Sequence, residues 1–128
     1  MTRVRVAVYV TRGSDLLVFT QRDDAEAGVQ VPAGGVRAGE RLDAAAVREV
    51  LEETGLSVSA VTPLGVQTDV EGQVTVFAHA TTATPLDRWA HTVTGGDSDR
   101  GLSFECSFAP AASVSLAGGQ GEFLSLLR

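Results

Sequence analysis

The chain lacks lysine altogether and has one cysteine, one tryptophan and one tyrosine in 128 residues. Each shortage excludes something. Ten basic residues, all arginine, face 16 acidic ones, for a net charge of -6 and a pI near 4.7. A protein that grips a polynucleotide neutralises many phosphates with a basic face. No basic cluster exists here, so nucleic-acid binding is not expected. Cys106 alone can build neither an internal disulfide nor a cysteine-rich zinc site. In "LSFECSF" it reads as a buried structural thiol.

Long apolar runs are missing too. None approaches the ~18 residues of a membrane span. The opening "MTRVRVAVYV" alternates instead of forming the apolar core of a secretion signal. The expectation is a cytoplasmic protein with no membrane partner. What is abundant is apolar content, 44%, against 20% charge. That composition and length suit one folded domain, residues 1–128, rather than a disordered chain.

The pattern along the chain predicts strands, a helix, more strands and a second helix. Arg3–Thr11 alternates and is β-branched. After the turn "RGSD", Leu16–Arg22 completes a hairpin. A polar loop, 23–28, leads to a short strand at Val29–Ala33, whose Pro32 suggests an edge or an ending. Beyond the Gly-rich loop Gly34–Glu40, Arg41–Thr54 is rich in Ala, Leu and Glu and reads as a helix. Asp43 or a neighbour caps it, and Gly55 fits its stop. Strands are expected at Leu56–Val70, Gln73–Thr82, Arg88–Thr94 and Leu102–Pro110. A flexible acidic loop spans Gly95–Gly101, and "GQGEFLSLLR" suggests a short terminal helix. The order implies a mixed sheet with helices packed on it.

Glu49, Glu52 and Glu53 crowd the expected helix. At about 100° per residue they fall within an arc of about 100°. Val47, Val50 and Leu51, bordered by Ala46, form the stripe expected to be buried. Like charges three or four residues apart cost a helix ~0.2–0.5 kcal/mol per pair. Arg48, one turn before Glu52, offsets part of that. Two explanations fit the carboxylates: a solvated acidic face, or oxygen ligands for Mg²⁺, which prefers carboxylates and substrate phosphates. The glycines Gly34, Gly35 and Gly39 favour the second, because they let the backbone approach a bound group closely.

The stretch "GGVRAGERLDAAAVREVLEETGL", Gly34 to Leu56, resembles the Nudix box, G-x5-E-x7-R-E-U-x-E-E-x-G-U with U aliphatic. Gly34, Glu40, Arg48, Glu49, Val50, Glu52, Glu53, Gly55 and Leu56 meet every specified position. "VQVPAGG" ahead of it and the strand order are similar to the family as well. The resemblance implies an α/β/α sandwich on a mixed β-sheet, with the box as loop–helix–loop. It implies hydrolysis of a diphosphate linkage in a nucleoside diphosphate linked to X. By position it implies Glu49, Glu52 and Glu53 as metal ligands for Mg²⁺ or Mn²⁺, with the Ala33 carbonyl as a further ligand. Arg48 would orient a glutamate, above all Glu52. Gly34, Gly35, Gly39, Glu40 and Gly55 would shape the loop.

Family members differ in their general base; the candidates here are Glu49, then Glu105 or Glu71. Trp89 and His91, two apart on one strand, are candidates to touch a substrate; the alternatives are a tryptophan that anchors a loop to the core and a satisfied structural histidine. His79 reads as a strand residue. Markers of subfamilies are missing: no tyrosine stands some 18 residues past the box and no proline some 15 past it. The substrate therefore stays a small nucleotide derivative of unspecified X. Two competing readings remain. One is a non-catalytic nucleotide or nucleotide-sugar binding module of the same fold, which an intact box disfavours. The other is an isoprenoid diphosphate isomerase, which calls for a cysteine and an altered box. A homodimer is consistent with so small a domain.

Overall fold

The computed structural model describes residues 3–95 and 99–127. The middle of the expected acidic loop, residues 96–98, lies outside them. Seven strands form one mixed sheet: β1 Val4–Arg12, β2 Asp15–Gln21, β3 Ala33–Gly35, β4 Ser59–Thr68, β5 Val74–Thr81, β6 Arg88–Thr92 and β7 Ser103–Pro110. The order is β4-β5-β1-β2-β7-β6, with β3 also paired to β1. Among the described residues a single α-helix, α1 Leu42–Thr54, lies between β3 and β4. Among the described residues no helix is long and apolar enough to cross a membrane.

β1 is the spine, and its sequence explains why. "VAVYV" (Val6–Val10) is apolar without a break, as a strand covered on both faces must be. Val6, Val8 and Val10 pack with Ala45, Ala46 and Val50 of α1. Ala7 and Tyr9 face the other way, into a cluster with Leu16, Val18, Val31 and Phe77. Along one edge β1 runs parallel to β5, Val4 opposite Val74 through Thr11 opposite Thr81. Its other edge is shared. Thr11 and Arg12 pair with β2 in the hairpin, while Arg5–Ala7 pair with β3.

The two hairpin strands therefore splay, and residues 29–36 fill the fork. Gln30 exchanges both backbone bonds with Phe19, Pro32 O accepts from Val8 N, and Val36 N donates to Val4 O. Of the expected strand Val29–Ala33, residues 29–32 make only this one bridge, and regular pairing starts at Ala33 as β3. The register puts Gly34 opposite Val6, on the α1 side of the sheet.

α1 starts without the expected side-chain cap. Asp43 accepts a bond from the adjacent Ala44 N–H at 2.8 Å and pairs with Arg41 instead. Gly55 does end the helix, at φ 79°, donating to Leu51 O. The buried stripe is not the expected one. Ala45, Ala46, Glu49, Val50, Glu53 and Thr54 face the sheet. Val47 is 36% exposed and Leu51 50% exposed. The alanines bring the backbone close to β1, which turns the stripe toward Glu49 and Glu53. Apolarity alone pointed to the wrong rotation.

Among the described residues the opposite face carries no second α-helix. The terminal segment has glycines at 118, 119 and 121, which favour turns over helix. It closes only a 3-10 turn at Leu124–Leu126. Side chains pin it instead. The Tyr9 hydroxyl donates to Gln120 O and accepts from Phe123 N at 3.2 Å. The Gln120 amide meets the peptide edge of Val31, accepting from Val31 N at 2.8 Å. Phe123 stands 5.0 Å from Phe77, ring centre to ring centre. Tyr9→Phe leaves Gln120 O and Phe123 N without this buried partner. Thermal or urea unfolding should show a loss of ~1–3 kcal/mol with the helix signal in circular dichroism retained.

Candidate active site

Arg48 is the hub of the box. It leaves the middle of α1 and uses every edge of its guanidinium. Nε donates to Glu40 at 2.8 Å and Nη2 to the other Glu40 oxygen at 2.9 Å. Nη2 also reaches the Gly35 carbonyl at 2.9 Å. Nη1 donates to Glu49 at 3.0 Å and to Glu52 at 3.1 Å. The planar fork of arginine suits such bidentate pairing; lysine could not replace it. Arg48 thus orients Glu52, as the family pattern implies, but equally Glu49, and it ties both to the loop through Glu40.

Glu40 shapes that loop from the inside. Besides both Arg48 bonds it accepts from Arg37 N at 3.0 Å. Hydrogen bonds from Arg48 first, and from that backbone N–H second, hold its carboxyl down to about 2. Gly39, at φ 75°, makes the turn just before it. Arg37 adds a longer contact to Glu52, 3.6 Å from a mostly exposed side chain, worth little in water.

Gly34 and Glu49 occupy one space. A Cβ built on Gly34 would stand 1.9 Å from Glu49 Oε2. Glu49 is 1% exposed. Its carboxylate lies flat on the β3 backbone because nothing projects there. Glu53, one turn on and also buried, accepts from the Ala33 N–H at 2.9 Å. Burial pushes its carboxyl up to about 9, and the neighbouring charge of Glu49 adds to the rise. Cys106 is buried nearby, its thiol pushed up to about 12, chiefly by burial and then by Glu53; that suits an inert packing role.

The last turn of α1 is gripped by β6. Trp89 Nε1–H donates to Thr54 O at 2.8 Å, and His91 Nε2 bonds Glu52 O at 3.1 Å. Thr94 N donates to Glu52 O as well. A Cβ on Gly95, at φ 97°, would lie 2.5 Å from the Glu52 carboxyl carbon. Trp89 and His91, the candidates for substrate contact, each place one ring nitrogen on a carbonyl of α1. Gly95 was legible only as a loop glycine, and no local pattern tied it to Glu52. Glu71 lies exposed in the β4–β5 turn. Glu105 sits on β7 beside Ala90 of β6. Among the described residues neither side chain is bonded to the box. His79 lies on β5, with Nε2 2.7 Å from Thr11 Oγ1.

Among the described residues no three His, Cys, Asp or Glu side chains stand ready-made around a cation. Arg48 draws Glu49 and Glu52 toward itself, and Glu53 is turned to Ala33 N–H. The donor chemistry nevertheless fits a hard divalent ion. The donors are carboxylate oxygens, and Glu49 and Glu53 are buried side by side with one guanidinium among them and Glu40 and Glu52. Arg48 Nη1 already reaches Glu49 at 3.0 Å, and Arg5 lies near enough to Glu53 to favour its charged form.

The NUDIX domain model matches residues 1–125. The chain belongs to the NUDIX family. Solved Nudix structures share its fold. A MutT NUDIX hydrolase from Burkholderia pseudomallei is 20% identical, with a TM-score of 0.68 over 100% of this chain and 99% of that one. A NUDIX-family hydrolase from Clostridium perfringens is 14% identical, with a TM-score of 0.68 over 100% and 99%. An ADP-ribose pyrophosphatase from Streptococcus suis is 17% identical, with a TM-score of 0.71 over 98% and 89%. No curated protein matches the chain. As a Nudix hydrolase it keeps the mixed α+β architecture of the family, with the box on β3, the loop and α1.

Two predictions follow from the geometry. Gly34→Ala forces Glu49 off the sheet, costing ~1–3 kcal/mol of stability as overpacking does and abolishing most turnover. Unfolding curves and initial rates check it. Glu40→Gln should lower stability near neutral pH by ~1–3 kcal/mol, the scale of hydrogen bonds to charged groups. The sign with pH is fixed, because the Glu40 carboxyl titrates at 4.5 when unperturbed and at about 2 when folded. Its contribution is complete above 4.5 and disappears as pH falls toward 2. The gap between wild type and Glu40→Gln should close across that window in acid-unfolding measurements.

Proposed function

We propose that this Nudix hydrolase, as one domain over residues 1–128, cleaves a phosphoanhydride bond in a nucleoside diphosphate linked to X, with Mg²⁺ or Mn²⁺ as cofactor. One observation carries the reading: an unbroken box in which the Arg48 guanidinium holds Glu40, Glu49 and Glu52 together beside the buried Glu53. The MutT and ADP-ribose pyrophosphatase names of the structural neighbours are consistent with a small nucleotide substrate. The net charge of -6 argues against a polynucleotide.

In this reading Glu49, Glu52 and Glu53 hold the divalent ion, with the Ala33 carbonyl beside them. When bound, that ion supplies Lewis acidity toward the phosphoryl oxygens and acidifies a water. Arg48 keeps Glu49 and Glu52 at fixed angles. Gly35, where an added Cβ would meet only Arg3 Nη2 at 3.9 Å, leaves room for the substrate phosphates to approach the backbone. A carboxylate within reach takes the proton of the attacking water, Glu49 first among the candidates and Glu105 or Glu71 after it. Water then displaces the leaving phosphate in line, with positioning supplying much of the acceleration.

The test has two parts. Nucleoside triphosphates, ADP-ribose, nucleotide sugars and dinucleoside polyphosphates are screened for phosphate release after coupled phosphatase treatment. On the best substrate, Glu52→Gln and Glu53→Gln are then assayed separately. Each should lose ~10²–10³-fold in kcat, the scale of removing one transition-state stabiliser. Turnover near wild type in both variants would refute the assignment.

A further inference from the structure

We infer that His91 and Trp89 are positioning residues, which fix the last turn of α1 and through it the aim of Glu52 and Glu53. The inference rests on the reading of the box as a metal-dependent hydrolase site, and it adds residues that the box does not contain.

An α-helix leaves its last four carbonyls without helical partners. In α1 these belong to Leu51, Glu52, Glu53 and Thr54. Gly55 N–H satisfies Leu51 O at 2.9 Å. Two of the others are satisfied from β6 and the residues that follow it. Thr54 O takes the indole N–H of Trp89. Glu52 O takes two donors, His91 Nε2 and Thr94 N. A carbonyl only accepts, so the His91 bond requires the proton on Nε2.

The fit is tight on both sides. A Cβ on Gly55 would come within 3.0 Å of His91 Nδ1, so the ring lies against the helix stop. Trp89 is backed by Phe108, 6.0 Å away between ring centres, with Arg12 4.1 Å over that second ring. The segment just past β6 meets the Glu52 side chain itself, at Gly95. Arg48 fixes the Glu52 carboxylate from one end, and β6 fixes its backbone from the other. Without the β6 bonds the final turn frays, as helix ends do, and two of the three candidate ligands sit on that turn.

The experiment uses the full chain and the metal alone. Mn²⁺ binding is followed by the free-ion electron paramagnetic resonance signal in wild type, His91→Ala, His91→Gln, Trp89→Phe and Glu52→Gln. Kinetics on the best substrate accompany it. Supporting partners of metal ligands typically carry ~10–100-fold in affinity or activity. His91→Ala should weaken Mn²⁺ about 10-fold and lower kcat more than it raises KM. The amide of His91→Gln can donate from nearly the same place and should restore most of both. Trp89→Phe keeps the ring and deletes only the donor; it should weaken Mn²⁺ in the same direction, and it decides the matter should His91→Ala not fold.

Unchanged Mn²⁺ affinity in Trp89→Phe and in folded His91→Ala overturns the inference. So does a pure rise in KM with metal binding intact, which would make these residues substrate contacts. The functional reading fails separately, if Glu52→Gln binds Mn²⁺ as well as wild type does.

Discussion

One guanidinium holds the box together. Arg48 joins the loop through Glu40 and Gly35 to the helix through Glu49 and Glu52. Its side chain is only 15% exposed, so these contacts are formed largely out of water. Buried pairs of this kind are costly to break one-sidedly, since the remaining charge is stranded. Loop and helix therefore cannot move independently. The loop of a hydrolase that handles phosphates has to be both open to the backbone and rigid, and the arrangement meets both demands. Glycine supplies the room and arginine supplies the constraint.

Around this centre the sheet acts as a jig. The fork between β1 and β2 brings residues 29–36 into register with the spine. That register sets Gly34 under the helix, where its missing side chain is filled by a carboxylate. Two carboxylates consequently occupy helix positions that an apolar residue would normally take. Burying Glu49 and Glu53 runs against stability, and Glu53 is held toward its neutral form as a result. A fold that buries two carboxylates side by side on one helix keeps oxygen donors together, which connects the packing of α1 to the chemistry proposed for it.

Much of this was readable beforehand. β1, β2, β5, β7 and α1 lie within a residue or two of the alternation and helix signals, because both faces of the spine and one face of the helix are strongly patterned. The box positions were legible from their resemblance to the family pattern. The rotation of α1 was not. Val47 and Leu51 look like core residues, yet Ala45 and Ala46 win the contact, since small residues permit the closer approach to β1. The terminal segment misled for a related reason. "FLSLL" has helical content, but glycines precede it, and long-range bonds from Tyr9 and Gln120 dictate its path. The contacts from β6 to α1 join residues 35 and 39 positions apart, and no local pattern could announce them.

The pairing of the first strand has a kinetic consequence. β1 is central, but its longest partner, β5, begins at Val74 and runs parallel to it. The hairpin with β2 closes early and covers only the last two residues of β1. During synthesis the most apolar strand of the protein must wait for some seventy residues before its full edge is satisfied. Assembly that depends on contacts so distant in sequence is slow compared with helical bundles of similar size. The interval leaves an unpaired valine-rich edge exposed, and crowding or heat would strike the newly made chain there first.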